Sequence, residues 1–141
     1  MAGPLLLVVE DESLILLALE QALTEAGFEV LGANSGDQAL VLIASNAERI
    51  NGLITDIGIR PGPDGWDLGQ RLREQMSQLP VVYTSGDAAS EWPSRGVPNS
   101  IMLSKPYALA QVITAISQLI NAVQEQQAME SPKETGTARA I

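Results

Sequence analysis

Leu53-Ile54-Thr55-Asp56 is a short apolar run that ends in a carboxylate, and it passes at once into Ile57-Gly58-Ile59-Arg60-Pro61-Gly62-Pro63-Asp64-Gly65. Three glycines and two prolines make the second piece a loop. Together the two read as a buried strand that delivers Asp56 to a solvent-facing edge. An Asp at a strand end can be a turn former, a helix cap or a reactive group. Asp56 is the candidate reactive residue, and the rest of the chain decides among these readings.

Upstream, Leu5-Leu6-Leu7-Val8-Val9 is an uninterrupted apolar run, as expected of a central parallel strand covered on both faces, and it ends in Glu10-Asp11-Glu12. Ser13 is placed to cap a helix over Leu14–Ala26, stopped by Gly27. Leu14, Leu16 and Leu17 widen its apolar face beyond one stripe, which fits either deep packing or a partner surface. Phe28–Ala33 reads as a second strand, and Asn34 or Ser35 as the cap of a helix over Gly36–Asn46. Downstream of the loop, Trp66–Met76 reads as a helix with Leu68 and Leu72 on one face and Trp66 as its packing anchor. Val81-Val82-Tyr83-Thr84 is the fourth strand, running out at Ser85-Gly86-Asp87.

Pro93, Gly96 and Pro98 confine any helix in the next region to one or two turns near Ala88–Trp92. Ser100-Ile101-Met102-Leu103 is a short fifth strand stopped at Ser104-Lys105-Pro106. The last helix, Tyr107–Gln124, carries Leu109, Val112, Ile113, Ile116, Leu119, Ile120 and Val123 at helical spacing. The polar sequence from Glu125 onward predicts a frayed helix end and a disordered tail. The expected organisation is one domain over 4–124 and a tail over 125–141.

Strict alternation of strand and helix implies a parallel sheet covered on both faces, a doubly wound α/β domain. In such sheets the functional crevice lies at the carboxyl ends of the strands. The first strand ends at Glu10-Asp11-Glu12, the third at Asp56, the fourth at Thr84-Ser85 and the fifth at Ser104-Lys105, so all four sets converge on one edge.

Composition narrows the chemistry. The 141 residues include no cysteine and no histidine, which excludes disulfides, thiolate and imidazole metal sites, a Ser-His-Asp triad and any phosphohistidine on this chain. A net charge of −9 argues against a generic basic surface for nucleic acid. No apolar run approaches the roughly 20 residues of a membrane span, and the N-terminus lacks the basic region of a secretory signal, so a cytoplasmic protein is expected.

Crowding Glu10, Asp11 and Asp56 together is unfavourable without a cation among them. An all-oxygen donor set with few protein ligands favours Mg²⁺. Lys105 adds a positive charge at the same edge, able to hold either the Asp56 carboxylate or a phosphoryl group on it, and Ser85 adds a hydroxyl. A carboxylate nucleophile, a metal and a lysine make phosphoryl transfer onto Asp56 the natural reaction. Taken singly, the acidic triplet could serve as N-terminal charge for the first helix, Lys105 as a surface turn and Ser85 as a helix cap. Their joint placement at four strand ends is what those separate readings leave unexplained.

The sequence resembles the receiver domain of two-component response regulators over about Leu5–Val123. The resemblance is carried by Leu7-Val8-Val9-Glu10-Asp11-Glu12, Thr55-Asp56 with Asp64-Gly65-Trp66, Pro80-Val81-Val82-Tyr83-Thr84-Ser85-Gly86 and Leu103-Ser104-Lys105-Pro106-Tyr107. It implies a flavodoxin-like five-stranded sheet in the order 2-1-3-4-5, here with a shortened or irregular fourth helix. It further implies that Asp56 accepts a phosphoryl group from a sensor histidine kinase or phosphotransfer protein. Asp11, Asp56 and the Gly58 carbonyl would ligate Mg²⁺, with Glu10 acting through water. Ser85 would be the switch hydroxyl, Lys105 the phosphate partner, and the Lys105-Pro106 bond cis. The chain departs from the usual pattern at Arg60, where many receivers have proline, in a loop one residue longer before Asp64, and at Met102, where the family usually has an aromatic residue.

The expectation is a bacterial, single-domain response regulator, monomer or weak dimer, that signals through a downstream protein partner without separate enzymatic turnover. A receiver-like binding module that works without phosphorylation is the alternative. A phosphohydrolase acting through an aspartyl-phosphate is disfavoured, because Thr55-Asp56-Ile57-Gly58 has no second carboxylate two residues on to act as general acid.

Overall fold

The computed structural model describes residues 3–139, with side chains described through Met129. Five parallel strands, β1 (Leu5–Val9), β2 (Glu29–Ala33), β3 (Gly52–Asp56), β4 (Val81–Ser85) and β5 (Ile101–Ser104), form one sheet in the order β2-β1-β3-β4-β5. They alternate with α1 (Ser13–Glu25), α2 (Gly36–Asn46), α3 (Gly65–Gln75), the short α4 (Trp92–Arg95) and α5 (Leu109–Arg139). This is the doubly wound architecture that the alternation predicts, in the flavodoxin-like strand order that the receiver resemblance implies. The order reverses where β1 and β3 lie side by side, so the crevice opens where Glu10 and Asp56 leave their strands.

The period-2 alternation of side chains divides the apolar strands between two cores. Leu5, Leu7, Val9, Leu53, Val81 and Tyr83 face Ala39, Ile43, Trp66, Leu68 and Leu72 of α2 and α3. Leu6, Val8, Ile54 and Val82 face Leu19 and Leu23 of α1 and Val112, Ala115 and Ile116 of α5. Burial on both faces is why β1, β3 and β4 read as continuous apolar runs.

Several element boundaries differ from the sequence expectation for local reasons. Ser13 is the first helical residue of α1 instead of its cap; Glu12 occupies the cap position without a side-chain bond. Ser35 is the cap of α2, its hydroxyl accepting from the Gln38 N–H at 3.1 Å. Asp64 caps α3 through a reciprocal box with Asp67, which starts that helix at Gly65. The fourth helix is a 3₁₀ turn over Ala89–Glu91 followed by one α-turn, with Pro93 tolerated in its first turn and Gly96 ending it. Helix α5 continues past Gln124, because Gln, Glu, Ala and Met through Met129 are good helix formers with no glycine or proline among them. Of the tail expected over 125–141, the side chains from 130 onward and all of 140–141 lie outside the described residues.

Candidate functional site

Glu10 stands one residue beyond β1, where its backbone N–H donates to the Ala33 carbonyl and extends the sheet by a rung. Its side chain is 1% exposed. One carboxylate oxygen accepts from the Glu12 N–H at 3.0 Å and the other from the Lys105 ammonium at 3.1 Å. Asp56 closes β3 and is buried, and its Oδ2 lies 3.3 Å from the same Lys105 Nζ. Lys105 is held in place from behind, since its backbone N–H donates to the Ser85 carbonyl at 2.8 Å, and its bond to Pro106 is cis. The ammonium thus bridges two carboxylates that arrive from separate strands. Asp11, exposed at the rim, brings a third carboxylate, and oxygens of Glu10, Asp11 and Asp56 all lie within 4.8 Å of one another.

The electrostatics follow from this crowding. Burial pushes Glu10 above the ordinary carboxylate value, with Asp56 adding to the rise, against the pull of the Glu12 N–H and Lys105. Burial likewise raises Asp56, outweighing Lys105 and the Gly58 N–H, and Asp11 adds to the rise. For Lys105, burial works to lower the ammonium, but the bond to Glu10 and the charges of Asp56 and Glu10 carry it above its ordinary value. The donor set therefore lacks positive charge: one ammonium serves two buried carboxylates and a third nearby. A hard divalent cation with oxygen ligands fits that deficit.

Ser85 ends β4 as expected, but its hydroxyl accepts from the Asp87 and Ala88 N–H groups at 3.2 and 2.7 Å, capping the turn that follows. Among the described hydrogen bonds it makes none to Asp56. Gly58 lies on the exposed side of the loop with open space where a side chain would stand. Arg60 is also exposed, on the outer part of the loop.

Sequence reasoning passed over Tyr107 as a site residue. Its hydroxyl is the one buried side-chain polar atom among the described residues with no hydrogen-bond partner, and burial, reinforced by Glu10, pushes it up to about 12. Its signal was only its position two residues beyond Lys105. Tyr107 lines an apolar groove of about 500 Å³ with Leu14, Ile15, Ala18, Pro106 and Leu109, immediately beside Lys105. Leu14 on that groove is 81% exposed and Leu17 of the same helix 60%, so the widened apolar face of α1 is in part a surface.

Residues 6–117 match the response regulator receiver domain model. The chain belongs to the response regulator receiver domain family. A crystal structure of a response regulator receiver protein from Sinorhizobium medicae is 47% identical, covers 85% of this chain and 96% of that one, and superposes with a TM-score of 0.81. The DNA-binding transcriptional regulator NtrC of Salmonella typhimurium is 31% identical over 124 residues, 85% of this chain and 25% of that protein. The sensor protein EvgS of Escherichia coli is 32% identical over 116 residues, 81% of this chain and 9% of that protein. The receiver domain thus spans a quarter or less of these two relatives. Receiver domains are phosphorylation-accepting signalling modules of two-component systems, which bind Mg²⁺ at an acidic pocket and interact with sensor kinases or phosphotransfer proteins. Among the described residues, no helix is long and apolar enough to cross a membrane.

Proposed function

We propose that this chain is a response regulator that accepts a phosphoryl group on Asp56 and signals by a phosphorylation-dependent protein–protein interaction. The observation that carries the reading is the Lys105 ammonium at 3.1 Å from Glu10 and 3.3 Å from Asp56, with the Asp11 carboxylate beside them. An Asp56 carboxylate oxygen attacks the phosphorus of a phosphohistidine on the donor protein. The new P–O bond forms as the P–N bond breaks, and the imidazole nitrogen leaves with the electron pair. Lys105, already placed between the two buried acids, can follow the negative charge from the carboxylate to the phosphoryl oxygens, and the Ser85 proton can bond one of those oxygens.

Asp11 and Asp56 would hold Mg²⁺ together with the Gly58 carbonyl, and Glu10 would act through water. When bound, the ion supplies neutralising charge at the phosphoryl oxygens. The exposed Leu14, lining the groove beside Lys105 with Ile15, Pro106 and Leu109, contributes to the apolar surface on which the phosphodonor protein docks. Retention of all three carboxylates with Lys105 favours this reading over a phosphorylation-independent module, which would need none of them.

Incubation with acetyl phosphate and Mg²⁺ followed by intact-mass measurement tests the proposal. One phosphoryl adduct is expected on the wild type and none on Asp56→Asn. No adduct, or one that persists in that variant, overturns it.

A further inference from the structure

Arg95, the last residue of α4, reaches back over the start of α3. Its guanidinium lies 3.8 Å from the Asp64 carboxylate, 3.3 Å from Glu91 and 5.7 Å above the Trp66 ring, while its carbonyl accepts from the Gln70 side chain at 3.3 Å. Asp64 and Trp66 flank Gly65, which sits against the backbone of the phosphoacceptor. The Gly65 N–H donates to the Ile57 carbonyl at 3.0 Å, and a Cβ at Gly65 would lie 2.5 Å from the Asp56 carbonyl oxygen. What Arg95 grips is therefore fixed to the Asp56 end of β3.

The other end of the same segment hangs from the site by a different thread. Asp87 and Ala88 are held by the Ser85 hydroxyl, whose proton goes to none of the described partners. A phosphoryl oxygen on Asp56 would supply that missing acceptor. Turning Ser85 towards it draws the two N–H groups, and the chain after them, towards the site. Arg95 resists, because its anchor on α3 does not move with Ser85.

We infer that Arg95 is a resting-state latch: by clasping Asp64 and Trp66 it ties α4 to the start of α3, while Arg73 separately holds the Pro98 and Asn99 carbonyls, and it opposes the shift that an occupied Asp56 demands. This rests on the receiver reading of Asp56 and adds the residue that sets its balance. A latch of this kind stabilises only the unoccupied state, so its removal must raise affinity for the occupant.

The test uses the full chain with beryllofluoride and Mg²⁺ as the phosphoryl mimic, binding followed by tryptophan fluorescence and amide exchange of the 86–99 segment by mass spectrometry. Arg95→Ala is expected to exchange about threefold faster over 86–99 without the mimic, and to bind the mimic about threefold tighter, the scale of one exposed ion pair with a cation–π contact. Asp64→Asn keeps the α3 cap but removes the charge, and should move both readouts the same way by less. A merely structural arginine would lower stability without tightening the mimic, so unchanged or weaker binding by Arg95→Ala overturns the latch. If the wild type binds no mimic, the receiver reading itself fails and the latch falls with it.

Discussion

Replacing Gly65 with alanine drives a methyl group into the backbone that carries Asp56. The new Cβ would lie 2.5 Å from the Asp56 carbonyl oxygen and 2.8 Å from the Ile57 Cα. Both are backbone atoms, so no flexible side chain can yield. Reaching ordinary contact requires α3 and the end of β3 to separate by about 0.9 Å, and overpacking of this kind costs about 1–3 kcal/mol. Alanine in place of glycine within a helix returns about 0.5–1 kcal/mol, so the net loss is about 0–2.5 kcal/mol. Under the proposed phosphoryl transfer the displacement falls on the attacking carboxylate of Asp56, where a shift of this size lowers rate by about ten- to a hundredfold. Gly58 in the same loop is the control: nothing stands within 4 Å of its Cβ position and its φ is not positive, so Gly58→Ala should leave stability within about 0.5 kcal/mol. Urea denaturation of both variants gives the stabilities, and the time course of acetyl phosphate labelling gives the Gly65→Ala rate. A Gly65→Ala protein as stable and as quickly labelled as the wild type refutes the argument, as does a Gly58→Ala protein that loses as much.

Two further outcomes follow from the same geometry. Glu10 and Asp56 both sit above their ordinary carboxylate values, so each stabilises the fold most when protonated, and that contribution is lost as pH rises through the folded-state value. In metal-free buffer Glu10→Gln should therefore gain stability relative to wild type as pH rises from about 4.3, the ordinary glutamate value, to 7, measured by urea midpoints across the range; a difference that stays flat or runs the other way rejects the assignment. Tyr83→Phe removes the hydroxyl that accepts the buried Val97 N–H at 3.2 Å, while keeping the ring that packs on Trp66. A loss of about 1–2 kcal/mol in denaturant titration is expected, and none at all would mean that the amide finds another acceptor.

Much of the fold is legible in local pattern. Each central strand is an apolar run because both of its faces are covered, and the runs stop at candidate site residues: Val9 before Glu10 and Thr55 before Asp56, with the edge strand β5 likewise passing from Leu103 to Ser104-Lys105. Alternation with helices forces a parallel sheet, and a parallel sheet sends all those stops to one edge. Local pattern also misplaced some details. Ser13 has the chemistry of a cap but is the first residue inside the helix, and α5 starts at Leu109, two residues later than its spacing suggests.

The sequence by itself determined the layered architecture and which candidate residues arrive at one edge of the sheet, because strand runs, glycine breaks and helical spacing are properties of near neighbours. Only the tertiary structure decided how those residues act on one another. The Lys105–Glu10 contact joins positions 95 apart in the chain, and nothing local sets its 3.1 Å or places Asp56 on the same ammonium. Whether Ser85 spends its acceptors on the following turn, whether the Tyr107 hydroxyl finds a partner and where Arg95 reaches are likewise set by elements brought together in space. Their energies depend on burial and direction, and these exist only once the sheet has assembled.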